Sequence, residues 1–375
     1  MSRRQLSLVV GRMRGAKVRT AAVLLSSIVA SLAATGCDSP FPPASRVESV
    51  RVLGAVIDKP ISQPGDTVGV RLIVHDGGAP VGAPRPLSIA WFGGCHDPAD
   101  DAPGNCYATL SWMARLSPDE LRGQRSDAAA VPAGATLGFG LETRVVVPDD
   151  IVSAHRPVAG ETEPRGLSYL YFAVCQGELR PFTGERSPVG IPIDCVDAVT
   201  GARVGASRFV SGYVTLRAHP VATNDNPRLA ALAIAGRVAS RAACVDDAAC
   251  PAGEGCSNSG ACLVIVPTCT ENDILECPSV RLSPLVDEAS YQNDDTAGFS
   301  PPPPESLWIA YFTTAGQLDG DLQMLVDPSS GRTPAGKYDG EWKVLPGFRG
   351  QARLFAIAHD NRGGASELTE DVLVR

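Results

Sequence analysis

Several things are missing from this 375-residue chain, and each absence closes off a class of function. There is no G-x-S-x-G, and the five histidines (His75, His96, His155, His219 and His359) are scattered, so no nucleophile–base–orienter set stands out. No C-x-x-C occurs among the eleven cysteines, which removes a common thiolate spacing of structural zinc sites. Beyond residue 37 no apolar run approaches the roughly 20 residues of a membrane-spanning helix. Helical periodicity is nearly absent, with Pro118–Arg122 suggesting a single turn. Glycine (38) and proline (31) together make up about 18% of the chain against a usual ~12%, which favours turns and short strands.

The N-terminus is ordered in charge and hydropathy. Arg3, Arg4, Arg12, Arg14, Lys17 and Arg19 precede any acid, and the apolar run Ala21–Ala34 follows. It ends in Ala34-Thr35-Gly36-Cys37. A largely apolar run of fourteen residues fits the core of an export signal better than a membrane span. The whole resembles a bacterial lipoprotein signal peptide with its lipobox. That resemblance implies a signal peptide over 1–36, diacylglyceryl (palmitate-type) modification of Cys37, and a short tether over 37–46. It also implies a place in the cell envelope of a Gram-negative bacterium, held to a membrane and facing the periplasm or the cell surface. Several acyl chains make a stable anchor, since each buried methylene contributes about 0.8 kcal/mol. Ser2-Arg3-Arg4-Gln5-Leu6 is also similar to a twin-arginine export signal, and Met13 offers an alternative start, because residues 13–37 already form a complete signal.

Cleavage before Cys37 would remove six basic residues and no acids, leaving 27 Lys+Arg against 41 Asp+Glu, a net of −14. That excess argues against nucleic acid as a partner. With Cys37 assigned to lipid, ten cysteines remain, and in an oxidising compartment they read as up to five disulfides. Proximity suggests Cys95 with Cys106 and Cys175 with Cys195. Six more (Cys244, Cys250, Cys256, Cys262, Cys269 and Cys277) fall within 34 residues. Their C-x5-C-x5-C-x5-C spacing suits zinc poorly. The stretch Cys244–Cys262 resembles small cysteine-rich repeats of extracellular proteins. By that analogy Cys244 pairs with Cys256 and Cys250 with Cys262, and Cys269–Cys277 closes a local loop.

The rest of the chain alternates between apolar and polar residues in short runs. Asp66–Asp76 places Val68, Val70, Leu72 and Val74 on one face. Leu87–Phe92, Arg144–Val147, Ser168–Cys175 and Phe209–Leu216 read as further strands, and a second series comprises Val280–Val286, Ser306–Thr313, Ala352–His359 and Glu370–Val374. The two series echo each other: Ile89-Ala90-Trp91-Phe92 parallels Ile309-Ala310-Tyr311-Phe312. The expected fold is all-β, with two β-sandwiches over 47–220 and 278–375 and a disulfide-rich insert or linker over 244–277. Residues 221–243 form a linker or the first strand of the second sandwich. Trp91 with Gly93-Gly94, and the hairpin from His359 to Ser366, give these modules a resemblance to immunoglobulin-like domains of the polycystic-kidney-disease (PKD) type.

Three groups of residues carry candidate chemistry. Asn224-Asp225-Asn226-Pro227 lies between the sandwiches and resembles the Asn-Asp-Asn-x-Pro linker of cadherins, which implies calcium held by Asn224, Asp225 and Asn226; the plainer reading is a turn. No other cofactor is expected. His96-Asp97 reads as a charged loop closed by Cys95 and Cys106. Trp91 and Trp308 are expected in the core; Trp112 and Trp342 flank loops, where a sugar-binding face competes with the favoured packing role. The function these features suggest is a lipid-anchored, non-enzymatic envelope protein offering its sandwiches for protein or glycan contact, or serving as a spacer. The alternatives are a carbohydrate-binding or enzyme-accessory lipoprotein and, behind it, a hydrolase without a recognisable motif.

Overall fold

The computed structural model describes residues 43–79, 84–123, 131–158, 161, 163–182, 190–295, 297 and 300–375. The expected signal peptide, Cys37 and the tether as far as residue 42 lie outside the described residues. Residues 44–375 form one compact unit. It is all-β: two β-sandwiches with a disulfide-rich insert. In the first, the strands are β1 (Val50–Ile57), β2 (Ile61–Ser62), β3 (Thr67–Asp76), β4 (Ser88–His96), β5 (Thr136–Phe139), β6 (Glu142–Val146), β7 (Gly166–Cys175), β8 (Glu178–Pro181), β9 (Ile193–Val196) and β10 (Phe209–Ala218). The second contains β11 (Leu229–Ile234), β12 (Glu254–Cys256), β13 (Cys262–Val266), β14 (Ser279–Val286), β15 (Leu307–Thr313), β16 (Gln317–Asp319), β17 (Leu322–Asp327), β18 (Gly331–Arg332), β19 (Gly340–Lys343), β20 (Gly350–Asp360) and β21 (Ala365–Val374).

In the first sandwich, β1-β3-β6 packs on β2-β10-β7-β4-β5. The period-2 alternation of β3 turns Val68, Val70 and Leu72 into this core beside Trp91 and Phe172, whose rings meet edge to face at 5.9 Å. β7 is buried along its whole length, on both faces. Leu170, Phe172 and Val174 face β1-β3-β6; Tyr169, Tyr171, Ala173 and Cys175 face a third layer. That layer comprises short 3-10 turns over 99–115, the one-turn helix Pro118–Leu121 and the β8–β9 hairpin. Cys95–Cys106 and Cys175–Cys195 tie it to the sheet. The first module is therefore thicker than a two-layer sandwich. The sequence conceals this, because the covering segments have little periodicity of their own.

The second sandwich packs β11-β14-β19-β16 on β12-β13-β21-β20-β15-β17-β18. β11 pairs antiparallel with β14 and buries Leu232 and Ile234 completely. The insert follows, stapled by Cys244–Cys256 and Cys250–Cys262, with Cys269–Cys277 beyond it. It does not stand apart from the sheet: β13 runs parallel to β21, and Val264 and Val266 enter the core.

The two sandwiches meet face to face. Leu53 and Ile73 on the outer face of β1-β3 pack against Phe355 and Ile357 on the outer face of β20, with Val47. Arg71 crosses the contact to Glu367 at 2.6 Å. Gly77 approaches Val47 so closely that a Cβ there would lie 1.8 Å from the Val47 carbonyl oxygen. The expected tether is shorter than the sequence suggested. Thr313 donates its N–H to the Ser45 carbonyl at 2.9 Å, and Val47 donates to the Thr313 carbonyl at 2.8 Å, so residues 45–47 are already stitched to β15. Ser45 and Val47 are accordingly buried.

Candidate functional site

The densest cluster of ionisable groups in the first sandwich surrounds His155. The loop after β4 turns sharply under the Cys95–Cys106 disulfide, and Asp97, Asp100 and Asp101 all adopt left-handed backbone angles (φ 39°, 57° and 51°), a conformation that aspartate tolerates better than most residues. Asp97 Oδ1 accepts from the Leu167 N–H at 2.8 Å and meets His155 Nδ1 at 2.9 Å. The other ring nitrogen, Nε2, lies 3.1 Å from Glu161 Oε2. Arg165 closes the ring of charges, reaching Glu161 and donating to Asp101 Oδ2 at 2.7 Å. A cleft of about 710 Å3 opens beside the cluster, lined by His96, Asp97, Asp100, Asp150, His155 and Arg156 among others.

Burial alone would lower the His155 pKa, but the hydrogen bonds to Glu161 and Asp97 outweigh it and raise the pKa above its usual value. Burial pushes Glu161 upward, yet bonds from His155, the Val158 N–H and Arg165 hold it down at about 2. The groups thus form a charged network of proton, guanidinium and three carboxylates. Donor atoms of Asp101, His155 and Glu161 lie within 4.8 Å of one another, close enough to share a metal ion. Arg165 already supplies a cation to two of those three. Both His155 nitrogens face carboxylates, so among the described residues the ring is not set against a hydroxyl or thiol. His96 does contact a hydroxyl, Ser168 Oγ, at 2.9 Å, but Ser168 is buried in the sheet, where no substrate reaches it. The sequence had singled out His96-Asp97; His155, 58 residues from Asp97, carried no local signal.

The second cluster is at the joint. Asn224, Asp225 and Asn226, the calcium ligands implied by the linker, do not converge on a common point. Asn224 is buried, accepts from Arg362 Nη2 at 2.8 Å and donates to Asp360 Oδ2 at 3.0 Å. Asn226 donates to the Ile57 carbonyl at 2.7 Å and accepts the Ala365 N–H at 2.8 Å. Asp225 is exposed. The linker amides are engaged by Arg362 and the backbone, which makes them a splice between the sandwiches. Arg362, 4% exposed at its side chain, also donates from Nε to Glu305 at 2.8 Å and from Nη1 to Asp295 at 2.6 Å. Burial raises the Glu305 pKa to about 7 despite that bond.

The ten cysteines other than Cys37 are joined as Cys95–Cys106, Cys175–Cys195, Cys244–Cys256, Cys250–Cys262 and Cys269–Cys277. Three sulfurs, of Cys244, Cys250 and Cys262, lie close enough for a metal, but each is already bonded to another sulfur.

Trp112 and Trp342 take the packing role that the sequence favoured over a sugar-binding face. Both are buried, at 2% and 0% exposure, and Trp342 donates its indole N–H to the Ala315 carbonyl at 2.7 Å. Trp308, expected in the core, is half-buried and stacks on His359 at 5.6 Å. The reason is register: odd-numbered residues of β15 face inward, so Ile309 and Tyr311 take the core positions. Among the described residues the exposed aromatic rings are tyrosines. Tyr213 packs against Tyr169 and Tyr171, and Tyr107 against Tyr171, at 5.6 to 6.1 Å. Tyr107 and Tyr213 remain 43% and 49% exposed.

No known protein family matches the chain, and no curated protein does. Among solved structures it is similar to fibronectin(III)-like modules of Clostridium thermocellum CbhA, at 9% identity over 86% of this chain and 94% of that one, with a TM-score of 0.18. The D00–D0 domain of intimin matches at 9% identity over 87% and 98%, TM-score 0.20. The Yersinia pseudotuberculosis adhesin InvE matches at 9% over 87% and 60%, TM-score 0.17. At such scores none of the three bears on what this site does.

Proposed function

We propose that this chain is a lipid-anchored, non-catalytic envelope protein whose disulfide-braced block of two sandwiches serves for contact with other envelope or extracellular molecules. The observation that carries the reading is the use of cysteine. Ten pair with one another inside the folded block, and the eleventh stands alone at the lipobox-like Ala34-Thr35-Gly36-Cys37. Five disulfides suit an oxidising compartment, and a lone cysteine behind a signal-like run suits acylation. The non-catalytic part of the reading is supported by the histidines. His155 is engaged by two carboxylates, His96 by a buried serine and His219 by the Ala222 N–H, while His75 packs on Phe355 and His359 on Trp308.

Intact mass of the protein extracted from its native membrane, before and after reduction and alkylation, tests this directly. A mass beginning at acylated Cys37, with ten further cysteines alkylated only after reduction, is expected. A chain that keeps residues 1–36, or one with free thiols before reduction, would remove both the anchor and the compartment.

Carbohydrate contact is a narrower reading of the same surface. Its support is the exposed pair Tyr107 and Tyr213 on a base of two packed tyrosines, a rigid aromatic face of the kind sugars stack on. On a glycan array it predicts a defined hit that is lost in Tyr213→Ala; a blank array leaves protein contact as the role of this face.

A further inference from the structure

β6 is an edge strand. Its sheet runs β1-β3-β6, and no described strand lies beyond it. Parity identifies its free side. Leu72 donates its N–H to the Leu141 carbonyl at 2.9 Å, and Val147 donates to the Asp66 carbonyl at 2.8 Å. Residues 141, 143, 145 and 147 therefore bond towards β3, and the N–H and C=O groups of Glu142, Arg144 and Val146 point away from it. Val68, Val70 and Leu72 of β3 face the core, so Gly69 and Arg71 lie on the outer face, and their cross-strand neighbours Arg144 and Glu142 lie there with them. Both Glu142 and Arg144 are exposed, and neither side chain is ion-paired among the described residues. Asp58 Oδ1 accepts the Gly69 N–H at 2.8 Å, and its Oδ2 would lie 2.7 Å from a Cβ at Gly69, so the carboxylate stands where that side chain would be. A cleft of about 390 Å3 opens over this row and is lined by residues of the first sandwich alone. Edge strands commonly carry charge as a guard against pairing. Here the two charges are opposite in sign and two residues apart, which makes the edge complementary to itself.

We propose that β6 pairs antiparallel with β6 of a second copy of this chain about a two-fold axis at Thr143, so that Glu142 of each copy faces Arg144 of the other. Backbone hydrogen bonding requires the outward-pointing residues of the two strands to face one another. Three registers near the strand centre satisfy it. One sets Glu142 on Glu142 and another sets Arg144 on Arg144, and both oppose like charges. The register between them forms two symmetric pairs of opposite charge, the arrangement that stabilises a cross-strand contact. In it Leu141, 51% exposed, gains Val145 of the other copy as its cross-strand neighbour. The two three-stranded sheets become one of six strands. Along one row of its outer face the charges alternate in sign, from Asp58 through Arg144 to Glu142 and Arg71 of the other copy. The contact is isologous and consumes the β6 edge of both copies, so it closes at a dimer. It depends on neither the lipid anchor nor the tyrosine face.

Charge reversal tests both the partner and the register. The full-length protein in density-matched detergent would be studied by sedimentation equilibrium at low salt, beside Glu142→Arg, Arg144→Glu and the double variant carrying both. The parent should show a monomer–dimer equilibrium with a Kd of about 10⁻⁴ M or tighter, in keeping with a small interface. Each single reversal places like charges in both symmetric pairs and should weaken the dimer at least tenfold. The double reversal restores opposite charges and should return Kd to near that of the parent. Added salt should weaken the parent dimer, because the pairs are exposed. Both residues lie on the surface, so all three variants should keep the parent Tm. Three results would overturn the proposal: a parent that stays monomeric up to about three times the expected Kd, single reversals that leave Kd within tenfold of the parent, or a double reversal as weak as the singles. The first would make the edge charges a guard against pairing, and the second would place any dimer contact elsewhere on the surface.

Discussion

Expressed alone, residues 278–375 should not fold cooperatively, although they contain most of the second sandwich. The fragment lacks β11 and β13, which pair with β14 and β21. It therefore loses Leu232, Ile234, Val264 and Val266, all at most 1% exposed, from the core around Tyr311 and Trp342. Fully burying each such side chain contributes about 1.5–3 kcal/mol, so the loss is roughly 6–12 kcal/mol, as large as the net stability of many whole domains. It also strips β14 and β21 of one neighbour each, while β19 and β20 remain paired to their other sides, and so leaves open edges that favour aggregation. Urea unfolding followed by tryptophan fluorescence checks this against residues 44–375. A single sharp transition in the short fragment would mean that the cysteine-rich insert is an accessory, not a part of the fold.

Arg362→Met should destabilise the folded block by about 3–5 kcal/mol at pH 8, because it strips the partner from a buried carboxylate. Arg362 is buried at the centre of the joint and contacts Glu305, Asp295, Asn224 and the Thr223 carbonyl. Its removal leaves Glu305 without its ion-pair partner in a dry site, so at pH 8 the carboxyl must either stay buried uncompensated or take up a proton from solvent. The sign of the pH dependence follows. The Glu305 pKa is raised from its ordinary 4.5 to about 7, so the folded state holds a proton that the unfolded chain has released between those values. This group's contribution to stability is greatest below about pH 4.5 and declines as pH rises through 7. Losing Arg362 raises the pKa further, so the variant should suffer less at pH 5.5 than at pH 8. The double variant Arg362→Met with Glu305→Leu should regain much of the loss, since two apolar side chains bury no unpaired charge. A single variant within about 0.5 kcal/mol of the parent at pH 8, the usual range of a surface change, would show the joint to be wetter than the structure has it.

The sequence by itself determined the periodic parts of this protein. Alternation in β3 and the unbroken apolar run of β7 announce strands because side chains on a strand point to opposite faces every residue. The turn Asp360–Gly364 announces the β20–β21 hairpin for a similar local reason. The order of charge and hydropathy before Cys37, and ten further cysteines without a C-x-x-C, are equally local signals. Tertiary structure alone decided which faces meet. Nothing local marks the outer residues Leu53, Ile73, Phe355 and Ile357 as a contact, because an exposed and a covered sheet face can share one pattern. Whether Trp308 or Trp342 is buried depends on strand register and on what covers a loop, not on the residue type. The two ionic clusters have the same origin. His155 reaches Asp97 across 58 residues, and Arg362 reaches Asn224 across 138. Charge-assisted bonds of that separation form only after both strand systems are in place, so no spacing in the sequence can encode them.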